Sequence, residues 1–259
     1  MQHPRPRRKF IMLVFLALFL LPVAARAALV AYEGGPRSWR DADWSSTGSL
    51  PAAASEPAAR VLVFSGRTGG WKGAVAVHSW IVVKREDAPR WTRYDVVGWG
   101  NPVRVNGWAA DGKWYGDQPT VIADIKGAEA AALIPKIEAA INDYQWRNAG
   151  DYRIWPGPNS NTFVATVLRA VPEIGVMLPP NAIGRDFRPK PYAGPSDSGT
   201  GIEASLWGVL GVKLGWVEGI EVNFAGLVAG LDLRHPALKV PGFGRIGLDG
   251  AVATATAAN

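Results

Sequence analysis

The spacing of apolar residues changes twice along this chain, and each change marks a different kind of element. Val61-Leu62-Val63-Phe64 is a short unbroken apolar run, which reads as a strand stopped by the turn-rich stretch 65–73. Residues 74–84 read as the next strand, 85–90 as a polar turn containing Pro89, and 91–99 as a third strand. Asn106-Gly107 and Asp111-Gly112 are hairpin-type turns, and 120–125 reads as a further strand. The period then becomes helical. Ala130, Leu133, Ile134, Ile137, Ile141 and Tyr144 repeat at i, i+3, i+4 spacing. Pro135 is expected to kink this helix or to start its main part. A loop over 151–158 leads to a second helix beginning near Asn159-Ser160-Asn161-Thr162. Its buried stripe is Phe163, Val164, Val167, Leu168 and Val171, and Pro172 ends it.

After a Pro- and Gly-rich excursion the pattern returns to strands at 202–214, 220–225 and 227–233. Glycines punctuate this part, some of them four apart as in membrane helix pairs. Lys213, Glu218 and Glu221 argue against a spanning helix, so twisted hairpins are expected. The fold class is α+β: a central antiparallel sheet with two helices packed on one side, then a strand-rich C-terminal extension. The divisions are 1–27 as a signal or anchor, 28–59 as a flexible lead, 60–175 as the core, and 176–200 as a loop. Residues 201–245 form the extension and 246–259 a loose tail.

The first 27 residues carry a basic start at Arg5, Arg7, Arg8 and Lys9, then an uncharged apolar run over 10–25, then Ala25-Arg26-Ala27. This is the layout of an export signal with a small-x-small cleavage site. The apolar run is about sixteen residues long, short of the roughly twenty a spanning helix uses. Cleavage is therefore favoured over retention as an inner-membrane anchor, and Pro22 is expected to break the helix ahead of the cut. Either way the remainder belongs to the periplasm or cell envelope. Removing the segment lowers the formal charge from +6 to +1, because it holds five Lys or Arg and no acid. A nucleic-acid partner loses its support with that charge.

There is no cysteine, which excludes disulfides, thiolate nucleophiles and thiolate metal sites. His78 and His235 lie far apart in sequence, so zinc is poorly supported. The 65–73 glycines lack the Gly-Lys-Ser/Thr ending of a phosphate loop, and no cofactor is implied. Twelve tryptophans admit two readings: core and hairpin packing, or an aromatic cleft for a lipid or glycan.

Candidate chemistry rests on His78, in the strand Val75 to Val83, and on Ser160, at the start of the second helix. A serine hydroxyl is inert at neutral pH unless a base takes its proton, so His78 is the candidate base and Ser160 the nucleophile. If the hairpin turns near Asp87 and Ala88, His78 lies opposite Val97, with Asp95 diagonally across on the same face. Asp95 is thereby the candidate that orients the imidazole; a register shift of one would replace it by Tyr94. N–H groups near Asn161 and Thr162 are candidates for an oxyanion site. Ser, Asn and Thr are also ordinary helix caps, and a single strand histidine is commonly a packed one.

His78-Ser79-Trp80, the run from Trp155-Pro156-Gly157-Pro158 through Asn159-Ser160-Asn161-Thr162-Phe163, and the Gly-rich end over 199–244 together resemble an uncharacterised bacterial family, domain of unknown function 3750. The resemblance covers most of the mature chain. More distantly, a histidine strand followed by a helix start of this type is similar to circularly permuted papain-like proteins. These include the NlpC-type peptidases and the lecithin–retinol acyltransferase group, which cleave or transfer amide and ester acyl groups. That similarity places Ser160 where those proteins carry cysteine, and His78 at their base. It implies an envelope hydrolase or acyltransferase acting on peptidoglycan or lipid. The alternative is a non-catalytic envelope protein with an aromatic binding cleft or a structural role. The apolar, Gly-rich character of the C-terminal hairpins suits packing on the main sheet or contact with a membrane surface.

Overall fold

The structure is a computed structural model, and it describes residues 5–36 and 38–247. Its centre is a five-stranded antiparallel sheet in the order β4-β3-β2-β1-β5. The strands are β1 (Arg60–Arg67), β2 (Val77–Lys84), β3 (Thr92–Val96), β4 (Val103–Val105) and β5 (Thr120–Lys126). β1 is central and covered on both faces, which is why its sequence is an unbroken apolar run and not an alternation. The β2–β3 register puts Ile81 opposite Tyr94 and Val82 opposite Arg93, the register expected of a turn at Asp87 and Ala88. Asp87 has φ 53°, the left-handed conformation that such a turn uses.

Helices α3 (Gly127–Asn142) and α4 (Ser160–Ala170) both pack on one face of the sheet. There Val61, Val63, Ile81 and Val83 meet Ile134, Ile137, Phe163 and Val167 in one buried cluster. Pro135 lies inside α3 and does not start it. It is exposed, as is Ala131 one turn earlier, so the carbonyl left without a donor faces water.

The opposite face carries Leu62, Phe64, Trp80 and Val82 under a layer that includes Trp44, Trp91, Trp108 and Trp114. Part of this layer comes from the segment expected to be a flexible lead. That segment is irregular but held in place. The Asp111 carboxylate accepts from Ser46 Oγ at 2.7 Å, Thr47 Oγ1 at 3.1 Å, Ser49 N at 2.9 Å and Leu50 N at 3.3 Å. With Ser49 Oγ at 3.4 Å, five donors on one carboxylate fix the arm so that Trp44 and Leu50 pack against the sheet.

At the N-terminus, α1 (Arg5–Phe15) runs through a π-helical turn (Leu16–Leu20) into α2 (Leu21–Glu33). Pro22 does not break this helix. It occupies the first turn of α2, where the missing N–H removes no needed bond, directly after the widened turn. Arg8–Glu33 is long and apolar enough to cross a membrane, with a mean hydropathy of 2.4.

The C-terminal strands make a second sheet, a meander in the order β12-β11-β10-β9-β8-β7-β6. Its first strand, β6 (Tyr192–Pro195), lies within the stretch expected to be a loop. The single strand expected over 202–214 is a hairpin, β7 (Gly201–Leu206) and β8 (Leu210–Gly215). Trp207 and Gly208 turn it at positive φ. β9 (Gly219–Phe224), β10 (Leu227–Asp232), β11 (Ala237–Val240) and β12 (Gly244–Gly247) complete it. The expected loose tail thus begins inside β12, and its remainder lies outside the described residues.

Candidate functional site

His78 rises from β2 on the tryptophan face, two positions from Trp80. Its ring stacks flat on Trp114, with centroids 3.6 Å apart and planes 4° apart. Nε2 lies 2.7 Å from Asp95 Oδ1. Asp95 in turn accepts from Arg93 Nε at 2.6 Å and Nη2 at 3.2 Å. Arg93 Nη1 donates to Ala109 O at 2.7 Å, and the guanidinium sits 4.0 Å over the Trp80 ring. Arg93 and Asp95 are fully buried and His78 nearly so.

Burial pushes the His78 pKa down, and the Asp95 carboxylate only partly opposes this. Burial alone would raise the Asp95 pKa, but the Arg93 charge and the His78 bond outweigh it and hold the carboxyl below its ordinary value. At neutral pH the chain is therefore a neutral imidazole, a carboxylate and a guanidinium. A carboxylate only accepts, so Nε2 carries the proton and donates it to Asp95. Nδ1 is left with a lone pair and makes no hydrogen bond among the described residues. That is the electronic state of a general base.

Ser160 is the first residue of α4, and Asn159 is the cap before it. Asn159 Oδ1 accepts from Asn161 N at 3.0 Å and Thr162 N at 3.1 Å. The N–H groups expected to serve an oxyanion are thus already occupied by the cap. The Ser160 N–H, one residue earlier, makes no hydrogen bond among the described residues and is the available donor at this helix end. Asn159 Nδ2 donates to Ile154 O and Ile183 O, both at 3.0 Å. Asn161 Nδ2 donates to Val77 O and Ile183 O, both at 2.9 Å. These amides tie the start of α4 to the residue beside His78. The Ser160 hydroxyl makes no hydrogen bond among the described residues, to His78 or to anything else.

His78 and Ser160 line one cavity of about 360 Å³. Its walls are largely aromatic and apolar, with Trp71, Trp99, Trp114, Tyr152, Trp155 and Ile183 prominent. Trp71, Trp99 and Trp155 are at least half exposed, so the cavity reaches the surface. Burial pushes the Tyr152 hydroxyl up to about 12, so it stays protonated. The tryptophans thus divide into a group packed on the sheet and a group lining this cavity, Trp114 belonging to both. His78 and Asp95 are brought together as expected. Ser160 shares their cavity, but α4 packs on the face opposite to the one that carries His78. The start of α4 reaches the His78 strand at its first residue, where Asn161 Nδ2 donates to Val77 O.

Two contributors escaped the sequence reading. Arg93 was legible in principle, since residues two apart on a strand share a face. Trp114 was not, because it reaches His78 from a loop whose path no local pattern specifies.

A sequence model of DUF3750, described as a protein of unknown function, matches residues 58–187, half of the chain. The chain belongs to the DUF3750 family. In this DUF3750 protein the matched span includes the five-stranded sheet, both packed helices, and His78, Asp95 and Ser160. The seven-stranded sheet begins beyond it. No curated protein and no solved structure matches the chain.

Proposed function

We propose that this DUF3750 protein is an envelope hydrolase or acyltransferase that acts on an amide or ester through a serine nucleophile. One observation carries the reading. His78, neutral and oriented by Asp95, keeps a free Nδ1 in the same cavity as the unbonded hydroxyl of Ser160. In the proposed reaction Ser160 Oγ attacks the substrate carbonyl carbon while His78 Nδ1 takes the hydroxyl proton. The oxyanion lies at the positive end of α4, where the Ser160 N–H donates to it. The bond to the leaving amine or alcohol breaks as the imidazolium returns the proton. Water or an acceptor alcohol then releases the acyl group by the same route in reverse. Proton transfer needs about 3 Å or one bridging water, so substrate binding has to draw the two side chains together around the sheet end. The order of parts, a histidine strand followed by a helix opening on the nucleophile, agrees with the similarity to permuted papain-like proteins. The apolar N-terminal helix fits export to the periplasm, as a cleaved signal or as an anchor. The aromatic walls favour an acyl chain or a sugar face as the bound group.

A second reading has its own observation. His78 is stacked on Trp114 and bonded within a closed His–Asp–Arg chain that does not use Ser160. On that reading the cavity binds a lipid or glycan without turning it over. Labelling with an alkyl fluorophosphonate separates the two. The first reading expects labelling of the native chain, none of Ser160→Ala, and much slower labelling of His78→Gln. Equal labelling of native and Ser160→Ala removes Ser160 from the nucleophile role. No labelling of either, with Trp fluorescence still titrating with lipid or glycan, favours the second reading.

A further inference from the structure

The seven-stranded sheet is built inside out relative to a soluble sheet. Its inward positions hold Glu203, Lys213, Glu221, Asn223 and Lys239, all buried. Its outward positions are apolar throughout β7 to β12, and no acidic or basic residue stands at any of them. The outward residues of β8 and β9, Leu210, Val212, Leu214, Ile220, Val222 and Phe224, are each more than a third exposed. Seven strands about 4.8 Å apart and four to six residues long make a face of roughly 30 by 17 Å. That is roughly 500 Å², in the upper part of the range of apolar patches found on ordinary monomers.

We propose that this outward face rests on the lipid of the envelope membrane, in the same hydrocarbon layer that receives the N-terminal helix. The helix that is long enough to cross a bilayer packs on this face: Phe15 and Phe19 meet Phe224 with ring centroids 4.7 and 6.0 Å apart. The helix's apolar run thus meets the face at the end of the sheet that holds Phe224 and the β9–β10 turn. The first half of the helix is largely bare, with Phe10, Ile11 and Leu13 about three-fifths exposed, while its second half packs beside 70–74, with Arg26 over the Phe243 ring and Glu33 accepting from Arg67 Nη1 at 2.6 Å. Trp207 and Trp216 stand exposed at opposite ends of β8, where the amphipathic indole suits a lipid–water boundary. Strands of four to six residues are too short to span a bilayer, which takes about 9–11, so the sheet enters one leaflet only. A flat pairing with a second copy is obstructed, because stacked sheets sit about 10 Å apart and the helix on β9 and β10 fills that gap. Cleavage of the helix would uncover Phe224 and enlarge the same face. The proposal does not depend on the chemistry assigned to Ser160.

The absence of native cysteine makes the test clean. Val212→Cys and Leu214→Cys place a single thiol on the face, and Glu129→Cys places one on the exposed side of α3. The full chain, with folding checked by circular dichroism, is labelled with nitrobenzoxadiazole. It is then reconstituted in phosphatidylcholine–phosphatidylglycerol vesicles containing doxyl lipid. The face probes are expected to shift to the blue and to lose about half or more of their emission, while the Glu129→Cys probe is unchanged, since a seated surface lies within about 5–10 Å of the acyl boundary. Equal quenching at all three sites overturns the proposal. So does a blue shift without doxyl quenching together with disulfide-linked dimers of Val212→Cys, which assigns the face to a second copy.

Discussion

Replacing Asp95 by Asn tests the electrostatics of the site in isolation from any activity. Among the described residues Asp95 is the sole carboxylate bonded to Arg93, and both residues are 0% exposed. Asn keeps the shape but removes the charge, so a buried guanidinium remains with the Ala109 carbonyl and the Trp80 ring as its main partners. Breaking one side of a buried pair costs about 3–5 kcal/mol, because the other charge stays desolvated. That is a large part of the about 5–15 kcal/mol that holds a domain together. The assay is urea unfolding of the full chain in mild detergent at pH 7.5, followed by Trp fluorescence, for Asp95→Asn, Arg93→Met and the double variant. Each single change is expected to cost about 3 kcal/mol or more, and the double change less than the sum, since the two residues share one network. A loss below about 1 kcal/mol in Asp95→Asn, or strict additivity in the double variant, would refute the account of Asp95 as the counter-charge that makes Arg93 tolerable.

Native stability should also fall with pH through a histidine step. The folded His78 pKa is depressed, so the unfolded chain takes a proton near pH 6.5 that the native state refuses. Its contribution is complete above about 6.5 and is lost as pH falls toward the folded value; His78→Gln should flatten thermal melts in that window. Asp95, also depressed, contributes a separate loss below about 3.8, which His78→Gln leaves largely in place. Asn159→Ala should cost about 1–2 kcal/mol in urea unfolding, as its oxygen satisfies two amides of α4. Gly184→Ala should cost more than about 1 kcal/mol by the same measurement: Gly184 has φ +96°, and a Cβ there would meet Asn159 Nδ2 at 2.3 Å. Asp111→Ala should speed limited proteolysis within 38–52 by about tenfold or more, because the arm loses its five-donor anchor.

The core was legible because its signals are local. The unbroken run at Val61, the helical period from Ala130 and the Asn159 cap each specify one element without help from distant residues. The Asp87–Ala88 turn set the β2–β3 register, and that register alone put Asp95 beside His78. Misreadings arose where distant contacts decide. Pro22 looked like a helix end, but a π turn and packing on Phe224 carry the helix past it. The 28–59 arm has loop composition, yet it is fixed by Asp111 more than fifty residues away. Ser160 and His78 line one cavity, but only the fold reveals that α4 packs on the sheet face opposite to the one that carries His78.

The segment over 185–188 explains how an inside-out sheet stays attached to this core. It straddles the end of the DUF3750 match at residue 187, and its side chains supply much of the charge that the inner face of the sheet needs. Arg185 bonds Glu221, Asp186 bonds Lys213 at 2.7 Å and Asn223 at 2.9 Å, and Arg188 bonds Glu203 at 2.6 Å. Asp197 meets Lys213 at 2.6 Å and Arg188 at 2.8 Å. Burial opposes the charge on Lys213, but the three surrounding carboxylates outweigh it and hold its pKa far above the ordinary value. A soluble sheet would bury its apolar side and leave these charges in water. Here the polar side is satisfied internally, and the apolar side is left outward for a different solvent. The same hairpin that carries Phe224 outward supplies Ala225 and Leu227 to the cavity wall, where Trp155 Nε1 donates to Ala225 O at 2.9 Å. The apolar face and the His78 cavity therefore share one structural edge, and under the two proposals the mouth of the site lies where an acyl group leaving the membrane would arrive.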